Sequence, residues 1–319
     1  MKTSFINEQQ LPILIEPDEL EAGDSDREAL SGLSLQQGFL HDKLLVHGAL
    51  LLRGFNPLDT TALAEFVQHV SGKTPLSYAG GASPRINLGA GVYTSTEYPE
   101  HYALSLHNEM SYTSRWPRYL FFYCATAPEQ GGETPLADSR RILEKIDAEV
   151  VRQFKTRKIR YVRNLPGGAG SGYSWQEAFE TEDRASVENS CRAAGMNFTW
   201  RDDGGLRLTE VRPATALHPL TREEVWFNQA EGFHPSAAGV ATDTEHDSGV
   251  RHDELRLNAF HGDGSPLALS ALEHIRQVTR AEASLFPWRA GDLLIVDNML
   301  VCHGRMPFAG ARKILLAMT

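Results

Sequence analysis

Short apolar runs separated by Gly, Pro and polar breaks dominate this chain, and long helical periodicity is confined to a few segments. Residues 48–55 (GALLLRGF) read as a buried strand that ends at a turn. Further short strands are expected at 119–125, 159–162, 206–211, 224–228, 293–297 and 313–318. Helices are expected at 58–70, with Thr60 or Thr61 as the cap, and at 139–156, 184–194 and 267–281; residues 17–37 are acidic and helix-prone. The glycine-rich stretch 78–85 reads as a loop, because it lacks the spacing and the following helix of a phosphate cradle. No internal repeat or long low-complexity tract is present. Strands and helices do not alternate regularly, which argues against a doubly wound parallel sheet. The pattern predicts a mainly β, α+β architecture: a β-sandwich or barrel core decorated by helices. A lid or insertion is expected around 165–205 and 235–260, the second being polar and rich in Asp and Glu.

Composition narrows the class without changing that picture. The 319 residues are 41% hydrophobic and 23% charged, as expected of a globular chain with a substantial core, and are read as one domain, 1–319. A formal net charge of -10 argues against nucleic acid as a main partner, since phosphate binding needs clustered Lys and Arg. Cys124, Cys191 and Cys302 form no zinc-like or redox pair, so a reduced, cytoplasmic setting is expected. The N-terminus lacks an apolar signal core and no stretch approaches a membrane span, so no membrane role is expected.

The chemistry concentrates in two places. Leu106-His107-Asn108-Glu109-Met110 supplies an imidazole and a carboxylate, and Val301-Cys302-His303-Gly304-Arg305 supplies a second imidazole. Two histidines and one carboxylate are the set that holds non-haem Fe(II) on one face and leaves the opposite positions open. In a strand, residues two apart share a face, so His107 and Glu109 are expected to converge while Asn108 points away. The triplet taken alone also fits a polar strand end, because H-x-E arises by chance. Of the twelve histidines, the others show no compact metal-ligand spacing.

Longer blocks of sequence tip the balance. Residues 106–112 (LHNEMSY), Trp116-Pro117, 128–140 (PEQGGETPLADSR), 225–234 (VWFNQAEGFH) and 297–318 (DNMLVCHGRMPFAGARKILLAM) are ordered and spread over much of the chain. With them the chain resembles the Fe(II)- and 2-oxoglutarate-dependent dioxygenases of the TauD/TfdA superfamily, in particular its clavaminate synthase-like and syringomycin-pathway hydroxylase-like (SyrP-like) branch. The resemblance implies a double-stranded β-helix (jelly roll) core, iron held by His107, Glu109 and His303, and consumption of O2 and 2-oxoglutarate with release of succinate and CO2. Glu at 109, where many superfamily members carry Asp, fits the narrower branch. By position, Thr134 and Arg312 match the residues that hold the far carboxylate of 2-oxoglutarate. A guanidinium forks onto a carboxylate and a hydroxyl adds a neutral donor. Arg305 and Lys313 are the rivals of Arg312, and strand alternation sends Lys313 to the opposite face.

For the acceptor, the resemblance implies an amino acid or related small polar metabolite hydroxylated at an unactivated C–H bond in secondary metabolism. It is either free or presented by an acyl or peptidyl carrier protein. Candidate substrate contacts are Arg85, Ser105, Tyr112, Arg163, Asn228 and Arg305; Asn228 and Gln229 compete with a plain core-strand reading of 226–229. The basic run 157–163 reads as a solvated strand face or as a dock for an acidic carrier domain. The resemblance also disfavours a taurine-type sulfonate: in taurine enzymes a further Arg beyond the cosubstrate Arg reaches the sulfonate, and residues 314–319 contain none. Two rival readings remain: a catalytically silent member of the fold that binds a small acid or a partner, and a zinc hydrolase. Oligomeric state is not legible.

Overall fold

The computed structural model describes residues 1–17, 36–55, 58–168, 172–238 and 254–319. Residues 18–35 of the helix-prone stretch 17–37 and 239–253 of the polar stretch 238–257 lie outside them. The described residues form a mixed architecture, mostly strands with eight helices.

The largest sheet has seven strands, in the order Lys2–Phe5, Ile13–Glu16, Ala49–Leu52, Leu293–Asp297, Tyr119–Thr126, Lys313–Met318, Val92–Thr94. Only the pairing of Ile13–Glu16 with Ala49–Leu52 is parallel among these. The uninterrupted apolar runs are explained by burial on both faces. On one face, Leu50, Leu52, Ile295, Phe121 and Leu315 pack with Leu40 and Leu44 of the helix Gln37–His47 and with Leu63, Phe66 and Val67 of the helix Thr60–Ser71. On the other, Leu51, Leu294, Val296, Phe122 and Leu316 join a second core cluster with Leu136, Leu300 and Val301. Each fully buried Leu contributes roughly 1.5–3 kcal/mol, so a charge at Leu294 would break both clusters' shared sheet.

A three-stranded sheet faces that second cluster, in the order Leu104–His107, Val301–Arg305, Leu136–Asp138. A four-stranded antiparallel sheet follows, Asn197–Trp200, Leu206–Arg212, Ile159–Leu165 and Leu257–His261. The described part of 165–205 carries the helices Trp175–Phe179 and Arg184–Ala194, and its strand Asn197–Trp200 joins this sheet. A local core of Leu165, Trp175, Phe179, Val187, Cys191 and Leu206 holds it.

Two local expectations need correction. The helix 58–70 is capped by Asp59, not by Thr60 or Thr61: the Asp59 carboxylate accepts from Ala62 N at 2.8 Å. The single helix expected at 139–156 is two, Ser139–Lys145 and Ala148–Arg157. Ile146 is extended, and Asp147 starts a new helix by accepting from the backbone N–H groups of Glu149 and Val150. A capping carboxylate in mid-segment outweighs continuous helix propensity.

Candidate metal centre

His107 and His303 are direct cross-strand partners at the junction of Leu104–His107 with Val301–Arg305. Opposed residues of an antiparallel pair point to the same face, and the two rings lie 4.5 Å apart between centroids. A register shift follows between His303 and Arg305. Gly304 occupies it because the neighbouring strand runs too close for a side chain: a Cβ there would lie 2.6 Å from Leu104 O.

Glu109 reaches the same point by a different route from the one expected. The strand stops at His107, and Glu109 lies in a turn in which Met110 takes a positive φ of 55°. Asn298 fixes that turn. Its Oδ1 accepts from Glu109 N at 2.7 Å, and its Nδ2 donates to Glu109 O at 2.9 Å and Pro117 O at 2.8 Å. Asn108 turns its amide away, onto Asn298 O at 2.7 Å and Ser139 Oγ at 3.2 Å. Gln229 braces the turn from the other side through Nε2 to Asn108 O at 2.7 Å. Convergence of His107 and Glu109 is therefore imposed by a pinned turn, and not by the pleat.

Glu109 Oε2 lies 3.9 Å from His107 Nε2 and 3.8 Å from His303 Nε2. The three ligand atoms lie within 4.8 Å of one another, and no other such group occurs among the described residues. His107 Nδ1 donates to Ser105 O at 2.8 Å, which leaves the Nε2 lone pair facing the carboxylate. Burial, then the nearby His107 and Arg85, hold His303 well below the usual imidazole range, so it is neutral, as a ligating histidine must be. Phe122 packs against its ring at 5.0 Å. Adjacent Cys302 is no rival: its thiol is pushed up to about 12, chiefly by burial, and donates to Ala137 O.

A cavity opens beside these atoms, walled by His107, His303, Thr134, Arg85, Arg305 and Arg312 together with Ser95, Thr96, Leu104, Phe122, Gly304 and Ile314. Thr134 Oγ1 accepts from Trp288 Nε1 at 3.1 Å, so its own proton is free to point at a ligand. Arg312 donates through Nε to Gly132 O at 3.0 Å and through Nη1 to Ser95 Oγ at 3.4 Å, with no partner for Nη2 among the described residues. Burial, then Arg305 beside it, draws its guanidinium down to about 10, the mark of a cation awaiting a counter-charge. Arg305 also faces the cavity, but its guanidinium donates to the carbonyls of Tyr98, Pro99 and Tyr102 at 2.7–2.8 Å. Lys313 is exposed.

Of the other expected contacts, Ser105, Tyr112, Arg163 and Asn228 fall outside this lining, and Arg85 is part of it. Ser105 is exposed, and its carbonyl serves His107. Tyr112 is buried with its ring 4.8 Å from Phe233 and under the Arg163 guanidinium at 4.9 Å. Arg163 donates to Gly80 O at 2.6 Å. Asn228 caps a turn, donating to Ala214 O at 2.8 Å and accepting from Ala230 N at 3.1 Å. Arg85 is drawn in, donating through Nη2 to Glu109 Oε2 at 2.7 Å. Burial opposes its charge, but Glu109 and Tyr78 more than restore it, holding its pKa above the usual arginine value. The residues missed in the sequence are Asn298, Ser95 and Thr96. Asn298 stands in the block 297–318, yet its side chain acts across the fold on Glu109, a link no spacing reveals.

The donor set fits iron: two imidazole nitrogens and one carboxylate oxygen around a point open to a cavity. Thr134 and Arg312 on the same cavity fit a carboxylate-bearing cosubstrate. Comparison with known proteins places most of the chain beside known families. The family described as "Taurine catabolism dioxygenase TauD, TfdA family" matches residues 20–319. The chain is 38% identical over 292 residues to the dapdiamide synthesis protein DdaC of Enterobacter agglomerans, covering 90% of this chain and 88% of that one. It is 31% identical over 294 residues to a clavaminate synthase-like protein of Arabidopsis thaliana, covering 90% and 86%. Among solved structures, PvcB, "an Fe, alpha-ketoglutarate dependent oxygenase from an isonitrile synthetic pathway", shares the fold at TM-score 0.55 and 16% identity, covering 96% of this chain and 84% of that one.

Proposed function

We propose, given that this chain belongs to the taurine catabolism dioxygenase TauD, TfdA family, that it hydroxylates an unactivated C–H bond of an amino acid or related small polar metabolite in a biosynthetic pathway. The chain is a dioxygenase that uses iron, 2-oxoglutarate and O2. The observation that carries the reading is the convergence of His107, Glu109 and His303 on a cavity that also holds Thr134 and Arg312. The seven-stranded and three-stranded sheets are assigned to the two faces of a double-stranded β-helix, within one domain of a cytoplasmic enzyme.

His107, Glu109 and His303 hold the iron, and bound iron supplies O2 activation and C–H oxidation, driven by oxidative decarboxylation of 2-oxoglutarate to succinate and CO2. The chain's own part is positional. Arg312 and the Thr134 hydroxyl would clasp the far carboxylate of the cosubstrate. The Ser105 carbonyl fixes the His107 tautomer, and Asn298 fixes the Glu109 backbone. Leu104, Phe122 and Ile314 form an apolar wall that limits water near the reacting carbon.

The names of the relatives support a biosynthetic role. Carrier presentation gains little from the basic run 157–163, because Arg157 is paired with Asp263 at 2.9 Å and Arg163 is buried. The test is O2-dependent succinate formation from 2-oxoglutarate by the iron-loaded enzyme, screened against amino acids for a product one oxygen heavier. Folded, iron-loaded protein that never consumes 2-oxoglutarate would favour a silent binder instead.

A further inference from the structure

Arg85 holds the very oxygen that a metal would take. Its Nη2 lies 2.7 Å from Glu109 Oε2, the atom that both imidazole Nε2 groups face. The Arg85 and Glu109 side chains are 3% and 4% exposed, so the pair has almost no help from water. Among the described residues Arg85 Nε has no partner, Nη1 reaches Thr94 O at 3.5 Å, the limit of a hydrogen bond, and Tyr78, a neutral group, shares a side-chain hydrogen bond with the guanidinium. The guanidinium lies over the Tyr78 ring at 4.6 Å. The loop before it is clamped by Arg163 on Gly80 O at 2.6 Å and Arg256 on Ala82 O at 3.0 Å. Arg85 therefore cannot retreat into solvent when its partner is taken.

Charge sets Arg85 apart from its neighbours. Three guanidiniums (Arg85, Arg305, Arg312) and no carboxylate wall the cavity, and adjoining Glu109 adds a single negative charge. A divalent ion and a dianionic cosubstrate cancel one another; just outside the lining Glu97 acts on Arg305 and Glu133 on Arg312, whereas Glu109 is the one carboxylate acting on Arg85. Arg305 is spent on three backbone carbonyls, and Arg312 serves the cosubstrate. Arg85 is left facing a cation that has claimed its counter-ion, and a buried charge without a partner is costly.

We propose that Arg85 determines acceptor specificity by exchanging partners: with metal and cosubstrate in place, its guanidinium leaves Glu109 and takes a carboxylate of the substrate. The acceptor is then a free acid, and not a carrier thioester or an amide. This rests on the iron-site reading above. The exchange couples the two events, so metal and acceptor each strengthen the other's binding.

The test uses Co(II) in place of iron, read by its visible d–d absorption, with Co(II) and 2-oxoglutarate at concentrations shown by titration to saturate each protein. Two probes are compared: a mixture of the L-amino acids, and the matched mixture of their amides. The acids should perturb the Co(II) bands of the wild type at concentrations at least tenfold below those the amides need. Arg85→Gln should abolish the acid response, and Arg85→Lys should recover part of it. Equal action of acids and amides, an undiminished acid response in Arg85→Gln, or no response to either mixture overturns the proposal. If Arg85→Gln fails to fold, the acid-against-amide comparison on wild type and Arg85→Lys still decides it. Co(II) bands that never form, or that survive His303→Ala, would instead overturn the iron-site reading itself.

Discussion

Replacing Asn298 with Ala removes one fully buried side chain and three hydrogen bonds. Glu109 N–H, Glu109 C=O and Pro117 C=O lose their partner together. Even at about 1 kcal/mol for each stranded group, the low end for buried polar atoms, the loss is about 3 kcal/mol. A water entering the vacated space would recover part of it. The second effect falls on the metal. Glu109 keeps its carboxylate but loses the turn that aims it, and loss of a residue that orients a ligand typically weakens metal binding about 10- to 100-fold. Urea denaturation of the metal-free protein reads the first effect; Co(II) titration of the folded protein reads the second. An Asn298→Ala variant with an unchanged denaturation midpoint and wild-type Co(II) affinity would refute the claim that Asn298 sets the Glu109 geometry.

Arg312→Ala should weaken 2-oxoglutarate binding by about 10- to 100-fold, the worth of a charged hydrogen-bonded pair at roughly 1.5–3 kcal/mol; calorimetric titration checks it, and unchanged affinity would assign the carboxylate to another group. Gly304→Ala drives a Cβ to 2.6 Å from Leu104 O and should cost roughly 1–3 kcal/mol while prising His303 from His107, seen as a lower melting temperature together with weaker Co(II) binding. Glu210 is buried, and that burial raises its carboxyl from 4.5 to about 7. Since the folded value is the higher one, the protonated form favours the fold below about pH 4.5, and this contribution is lost as pH rises through about 7. The shift corresponds to something on the order of 3 kcal/mol. Urea midpoints at about pH 5 and pH 8 should therefore diverge more in wild type than in Glu210→Gln, and equal slopes would contradict the assignment.

Much of the site was legible because its chemistry is carried by residue types that are costly to place by accident. The strands 293–297 and 313–318 were read with the bounds the structure gives, since continuous apolar runs buried on both faces leave little ambiguity. His107, Glu109 and His303 stand out in the sequence by residue type and motif, and the structure brings them together. What failed was reasoning from local periodicity where a distant contact governs. Strand alternation predicts Glu109 on the strand, whereas Asn298, far along the chain, holds it in a turn. Tyr112, Arg163 and Asn228 carry polar groups suited to a pocket, but they pack away from the cavity lining. Arg85 and Arg305 could not be told apart by sequence: one meets a carboxylate and the other only carbonyls.

The most direct test of the account is anaerobic addition of Fe(II) and 2-oxoglutarate to the metal-free protein, followed by visible absorption. A weak metal-to-ligand charge-transfer band should appear in wild type, vanish in His107→Ala and His303→Ala, and demand more 2-oxoglutarate in Arg312→Ala. Absence of the band in folded, iron-loaded wild type, or its persistence in both histidine variants, would contradict the placement of iron and cosubstrate at this site.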